Sequence, residues 1–161
     1  MTYRKKIFLY GIILLSFVCI ILVIINSIYY KTFSKSEVIN SYTKNEKYFL
    51  NVALYLIDME GLISINKQSK NSIEATNFLN GNYSNVILDN SINNQIEYIL
   101  NKLDYSSITE RDNSVIFKKV TVDELERGIV FSEHGQKPNW PGLVQLETIK
   151  EKLFYYEKEK E

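Results

Sequence analysis

From Ile7 to Tyr30 the chain runs for 24 residues without a charge (IFLYGIILLSFVCIILVIINSIYY), and Arg4, Lys5 and Lys6 stand just before it. As a helix rising 1.5 Å per residue, this run would be roughly 36 Å long, against a hydrocarbon core of about 30 Å. Its length and composition therefore predict an N-terminal transmembrane helix. Tyr10, Tyr29 and Tyr30 sit where amphipathic rings anchor at the headgroup level. The run exceeds a secretory h-region and ends in Ser27-Ile28-Tyr29-Tyr30, with no small-residue cleavage triplet. Val18 before Cys19 is too bulky for a lipoprotein site, and no Gly and acidic residue open the run as in a pilin head. These features point to an uncleaved signal anchor. The basic head, set against Lys31, Lys35 and Lys44 with Glu37 beyond the run, orients the N-terminus inward. The expected organisation is a cytoplasmic tail at 1–6, a single-pass span at 7–30 and an extracytoplasmic domain at 31–161, located at the cell membrane.

The whole chain carries 19 basic and 19 acidic residues. Three of the basic residues and none of the acidic ones fall in the first thirty positions, which leaves the outer domain three charges negative. Such a domain has no electrostatic footprint for nucleic acid, and no polybasic patch to hold it on anionic lipid. The single cysteine, Cys19, lies inside the apolar run, so stability of the domain must come from packing rather than disulfides. Abundant Ile, Asn, Lys and Tyr with little Ala, Gly and Pro suggest an AT-rich bacterial genome. Asn82-Tyr83-Ser84 matches the glycosylation triplet, as an Asn-rich chain does by chance.

Past the span, Ser36 reads as an N-cap. Val38, Tyr42, Phe49, Val52, Leu56 and Met59 follow at helical spacing up to Gly61. This stripe suits a long helix lying on the domain's own sheet better than a coiled coil, because Asn45 falls at one seam position. Leu62–Ile65 reads as a short strand or a continued turn, and residues 66–84 as a loose polar stretch with one helical turn around Ile73, Ala75, Phe78 and Leu79. A second helix, capped by Asp89 or Ser91, carries Ile92, Ile96, Ile99, Leu100 and Leu103. Residues 104–113 read as a connector. Strands are expected at 114–120, 128–132, 143–149 and 153–156, the last two as a hairpin. Turn chemistry fills 133–142, and the charged tail 157–161 should fray. Helices first and strands after give an α+β fold, with the helices on one face of an antiparallel sheet of about four strands.

Reactive chemistry is scarce. His134 is the only histidine, between Glu133 and Gly135 and near Ser132. Triad members converge from separate elements, so this turn reads as a solvated histidine. One His and no cysteine outside the run exclude the usual zinc sets, and no EF-hand, P-loop or GxGxxG pattern occurs, so no metal and no cofactor are implied. Asp104, Glu110 and Asp112 have no spacing that marks an acid–base pair. Aromatics are the surplus: 12 Tyr, 8 Phe and one Trp. Trp140 lies in a loop between prolines, and Phe154, Tyr155 and Tyr156 are consecutive. Such rings either form a binding surface or are consumed by burial on both faces of a strand. The candidate binding residues are Trp140, Tyr155 and Tyr156, with His134 in the adjacent turn.

Lys44–Leu56 (KNEKYFLNVALYL), Glu126–Pro138 (ERGIVFSEHGQKP) and Leu146–Glu157 (LETIKEKLFYYE) give the chain a plan that resembles the small signal-anchored proteins of AT-rich Gram-positive bacteria without assigned function. The resemblance covers most of 36–157 and implies no catalytic residues. The expected function is a non-catalytic, membrane-anchored domain that binds a protein or a cell-envelope component, its other partner being the lipid bilayer. Two alternatives are a small-ligand pocket between helix and sheet, as in cystatin- or NTF2-like folds, and an envelope enzyme using distant carboxylates such as Asp104 and Glu133. Nothing in the pattern fixes the oligomeric state.

Overall fold

The computed structural model describes residues 14–23, 34–69, 72–119 and 125–159. The chain divides into two compact units, Met1–Ser34 and Lys35–Glu161. In the first, residues 14–23 form a helix whose side chains are all exposed, including Leu14, Leu15, Phe17, Val18, Ile20, Ile21, Leu22 and Val23. Among the described residues no helix is long and apolar enough to cross a membrane. The expected transmembrane helix at 7–30 is corrected to that extent: ten of its residues are helical here, and its remaining positions, like the tail 1–6, lie outside the described residues.

The second unit opens with a long helix, Lys35–Ile57. Strands β1 (Leu62–Ser69), β2 (Ser72–Leu79) and β3 (Asn82–Asn85) follow. A short helix, Asn90–Glu97, then runs into a π-helical turn, Tyr98–Lys102. The chain closes with β4 (Tyr105–Arg111), β5 (Ser114–Lys119), β6 (Leu125–Ser132), β7 (Leu143–Lys150) and β8 (Leu153–Glu159). All eight strands make one sheet in the order β3-β2-β1-β4-β5-β6-β8-β7, every pairing antiparallel.

The sheet thus corrects the expected four strands to eight. The additional strands are β1 at full length, β2, β3 and β4. Polar composition in 66–84 hides a period of two: Ile63 and Ile65 are buried, and Ile73 and Ala75 pack against the core from the neighbouring strand. The connector 104–113 is likewise β4 and its turn, with Tyr105, Ile108 and Glu110 buried. Two tight turns set these hairpins. Asn80-Gly81 (φ 52° and 83°) joins β2 to β3, and Asp112-Asn113 (φ 54° and 57°) joins β4 to β5. Positive φ at both central residues is the type I′ geometry that matches strand twist.

One sheet face is covered by the helices. Val38, Tyr42, Phe49, Val52, Ala53 and Leu56 of the long helix are buried against Ile108, Val115, Phe117, Ile129, Phe131 and Tyr155. Phe49 is the hub, with its ring 4.8 Å from Phe117, 5.3 Å from Tyr105 and 5.4 Å from Tyr42, all edge-on. Rings and aliphatic side chains therefore fill the space between helix and sheet. Helical geometry breaks at Asn45 (φ −123°, ψ 18°), whose side-chain amide donates to the Ser41 carbonyl at 2.8 Å. The π-helical turn brings Ile99 and Leu100 to the core together, and the Leu103 N–H closes it on the Tyr98 carbonyl at 3.2 Å. The Leu100 carbonyl accepts from Lys67 Nζ at 3.2 Å.

Candidate functional site

Among the described residues of this unit, no helix lies on the opposite face of the sheet, and the β6–β7 loop, residues 133–142, covers part of it. Alternation along β5, β6 and β8 sends Ile116, Lys118, Gly128, Val130, Phe154 and Tyr156 to this face. Cross-strand pairing lines them up as Ile116↔Val130↔Phe154 and Lys118↔Gly128↔Tyr156. Val130, Phe154 and Tyr156 are buried although no helix reaches them.

Trp140 supplies part of that cover. Its ring stands edge-on to Tyr156, with centroids 5.3 Å apart at 87°. The loop is tied down on both sides. At its start, Ser132 N–H donates to the Lys152 carbonyl at 2.9 Å and Glu133 N–H to the Asn113 carbonyl at 3.0 Å. At its end, Leu143 N–H closes a turn on the Trp140 carbonyl at 3.3 Å, and Glu159 N–H donates to the Gly142 carbonyl at 2.9 Å. Pro141 at the second position and Gly142, with φ 73°, at the third are the type II pattern. Trp140 is thereby held by backbone bonds to the β4–β5 turn and to β8.

Tyr156 is equally fixed. Its ring lies over Gly128, where an added Cβ would fall 2.8 Å from ring atom Cε1 and 2.1 Å from the Phe117 carbonyl oxygen. Its hydroxyl donates to Glu126 Oε1 at 2.9 Å, and Glu126 Oε2 pairs with Lys118 Nζ at 2.6 Å. Burial, followed by the Glu126 carboxylate, pushes the Tyr156 hydroxyl well above its ordinary pKa of 10.0. At neutral pH this phenol is a donor and no nucleophile.

Between loop and sheet lies a cleft of about 260 Å³. Ser114, Ile116 and Ser132 floor it. Arg111, Asp112 and Asn113 close one side, and His134 together with Gln136–Trp140 forms the other. Arg111 and Asp112 are exposed and meet through Nε and Oδ2 at 3.2 Å. The lining mixes one indole, one aliphatic chain, several amides and hydroxyls, two cations and one carboxylate.

Of the four residues singled out from sequence, Trp140 and Tyr156 touch each other, and His134 lies across the cleft from Arg111, exposed. Tyr155 is on the helix-covered face. It donates to Glu157 Oε1 at 2.6 Å, Glu157 also meets Arg127 Nε at 3.3 Å, and Lys35 Nζ sits 5.9 Å from its ring centre. Neighbours on a strand point apart, so Tyr155 does not share the Trp140 surface. Arg111, Asn113, Ser114 and Gln136 were not singled out. The Asp-Asn turn beside a strand was the available signal for the first three.

Carboxylates do not converge. Asp104 precedes β4, whereas Glu133 bonds to Asn113 at the other end of the β4–β5 hairpin, about 20 Å of strand away. Glu110 faces the helix side, and its carboxyl is held above the usual range mainly by burial, with a smaller contribution from Asp112. Among the described residues no group of three or more His, Cys, Asp and Glu is placed to hold a metal ion. Comparison of the chain with known protein families, with curated proteins and with solved structures returns no match.

Proposed function

We propose that residues 35–159 form a non-catalytic binding module, held at a membrane by the apolar run 7–30, and that the cleft under the 133–142 loop takes a component of the cell envelope. The observation that carries this reading is the loop itself. A ten-residue connection is bonded to the β4–β5 turn at its start and to β8 at its end, and it sets the only Trp of the chain beside an open, polar cleft. Rigid aromatic anchors flanked by amides and hydroxyls are what recognition sites use, and loops on a fixed scaffold are where they sit. The apolar side chains exposed on helix 14–23 support the tether. A pocket between helix and sheet gains no support from a core filled by Tyr42, Phe49, Tyr105 and Phe117.

A photoreactive amino acid at Gln136, in the cleft, tests the reading in intact cells. A control is placed at Lys47, on the exposed side of the long helix. Irradiation should give a defined envelope adduct at Gln136 and none at Lys47. Equal labelling at the two positions, or none at either, would remove the cleft as the site.

A further inference from the structure

The cleft opens at Arg111 onto a second feature of the same sheet face. Leu62 on β1 lies directly opposite Phe78 on β2, and Phe78 directly opposite Tyr83 on β3. Ile63 and Ile65 point to the helices, so this row points away from them. It is uncovered: Leu62 is 36%, Phe78 38% and Tyr83 79% exposed, with the Phe78 and Tyr83 ring centres 4.8 Å apart. The β1–β4 register pairs Ser64 with Thr109 and Asn66 with Ser107, and continued by two residues it sets Leu62 against Arg111. Arg111 pairs with Ser114, and Ser114 with Ser132, on the cleft floor. One cross-strand row therefore runs from Ser132 on the cleft floor to Tyr83. It spans five strand spacings, or about 24 Å at 4.8 Å each.

We propose that this row is the binding track for an extended, carboxylate-bearing glycan. One sugar ring sits in the cleft against Trp140, and the chain crosses the strands to the Phe78–Tyr83 pair. The inference rests on the binding-module reading above and adds the class of ligand. Three observations select it. The cleft volume suits one sugar ring and its lining is too polar for a lipid tail, whereas amides, hydroxyls and Arg match vicinal hydroxyl groups. Aromatic rings stand at both ends of the row, where the C–H faces of sugar rings can stack, and polar Ser114 and Ser132 lie between. Charge at the cleft is Arg111 and Lys137 against Asp112, a surplus of one positive charge, which suits one singly charged carboxylate presented to the Arg fork.

Trp140 is the only tryptophan, so its emission reports the cleft directly. The full chain in detergent micelles would be titrated with oligomers of glucuronic acid and with the same oligomers reduced to the neutral sugar. The acidic series should shift Trp emission saturably, with Kd at least tenfold lower than the neutral series, and Kd should fall with chain length. Arg111→Gln should abolish the preference for acid. Tyr83→Ala, at an exposed position, should remove the gain with length while binding of the single sugar is unchanged. Equal affinity for both series, no response to either, or a length gain that survives Tyr83→Ala would overturn the proposal. If Gln136 still captures an envelope adduct while the glucuronic series is silent, the binding module stands and the glycan assignment falls. If both fail, the cleft is not the site.

Discussion

Glu110 is a carboxyl that the fold buries on the helix side of β4, and its cost has a definite pH dependence. Burial raises it from an ordinary value of 4.5, and the neighbouring charge of Asp112 adds to the rise. Backbone groups of Asn113 and Ile63, bonded to it, work in the opposite direction. The folded state therefore holds this proton more tightly than the unfolded state. The destabilisation is absent below about pH 4.5 and complete above the raised value, so stability falls as pH climbs through that window. Glu110→Gln should flatten the slope there and leave the protein more stable than the parent at pH 7. Urea midpoints measured from pH 4 to 8 check this, and a variant with the parent's slope would refute it. Gly128 makes the complementary point about space. An added Cβ would lie 2.1 Å from the Phe117 carbonyl oxygen, which is backbone of the adjacent strand, and against the Tyr156 ring. Gly128→Ala should cost about 3 kcal/mol by denaturant unfolding, at the upper end for overpacking, because a strand rather than a side-chain tip must move. Trp140 emission should shift in the same variant, since the displaced Tyr156 ring is what the indole rests on.

Among the elements, the two type I′ turns predict different failures from the same kind of substitution. Gly81 joins the edge pair β2–β3 with φ 83° and has open space around it, so Gly81→Ala costs only the left-handed backbone, about 1 kcal/mol. Because β3 is an edge strand whose side chains are exposed, the loss should be local. Amide exchange of Val86, which donates to Ala75, should accelerate while the global midpoint holds. Asn113→Ala strains the turn between central strands β4 and β5 and should lower the global midpoint. The same two turns show what could be read in advance. The helices of the second unit carry apolar periodicity, interrupted only at Asn45, and Leu143–Ile149 alternates before the aromatic run 153–156, so those elements were legible, whereas the charged residues 157–159, expected to fray, extend β8 to Glu159. β2 and β3 were not, because an edge pair needs few apolar residues and its polar composition matches a loop. Yet Asn80-Gly81 is a strong local hairpin signal. β4 was hidden because Ser106, Ser107 and Thr109 occupy its less buried positions. At the site, Trp140 stood out by type and Tyr156 by its aromatic run. The separation of Tyr155 from Tyr156 follows from strand alternation alone, while the role of Arg111 required knowing that β4 lies beside β1.

For the molecule as a whole, the two units differ in what their apolar side chains do. In Lys35–Glu161 most are spent internally, between the helices and one sheet face and under a ten-residue loop on the other; the exposed remainder includes the row Leu62, Phe78 and Tyr83, with Leu54, Ile87 and Val144 exposed elsewhere. Residues 14–23 instead present Leu14, Leu15, Phe17, Val18, Ile20, Ile21, Leu22 and Val23 outward on every side. Burying those eight side chains in hydrocarbon is worth on the order of 10 kcal/mol or more, far above what a surface-bound domain loses to salt or alkaline washing. The full chain should therefore remain in the membrane pellet through high salt and alkaline carbonate, and should leave it only with detergent. A chain beginning at Lys35 should be soluble and unfold in one cooperative transition, since the second unit holds its own core from Val38 to Tyr155. If the full chain appeared in the soluble fraction, the tether would be lost. The cleft would keep its geometry, because every residue that lines it lies between Arg111 and Trp140. Fractionation thus decides where the domain works, and the Trp140 titration decides what it holds.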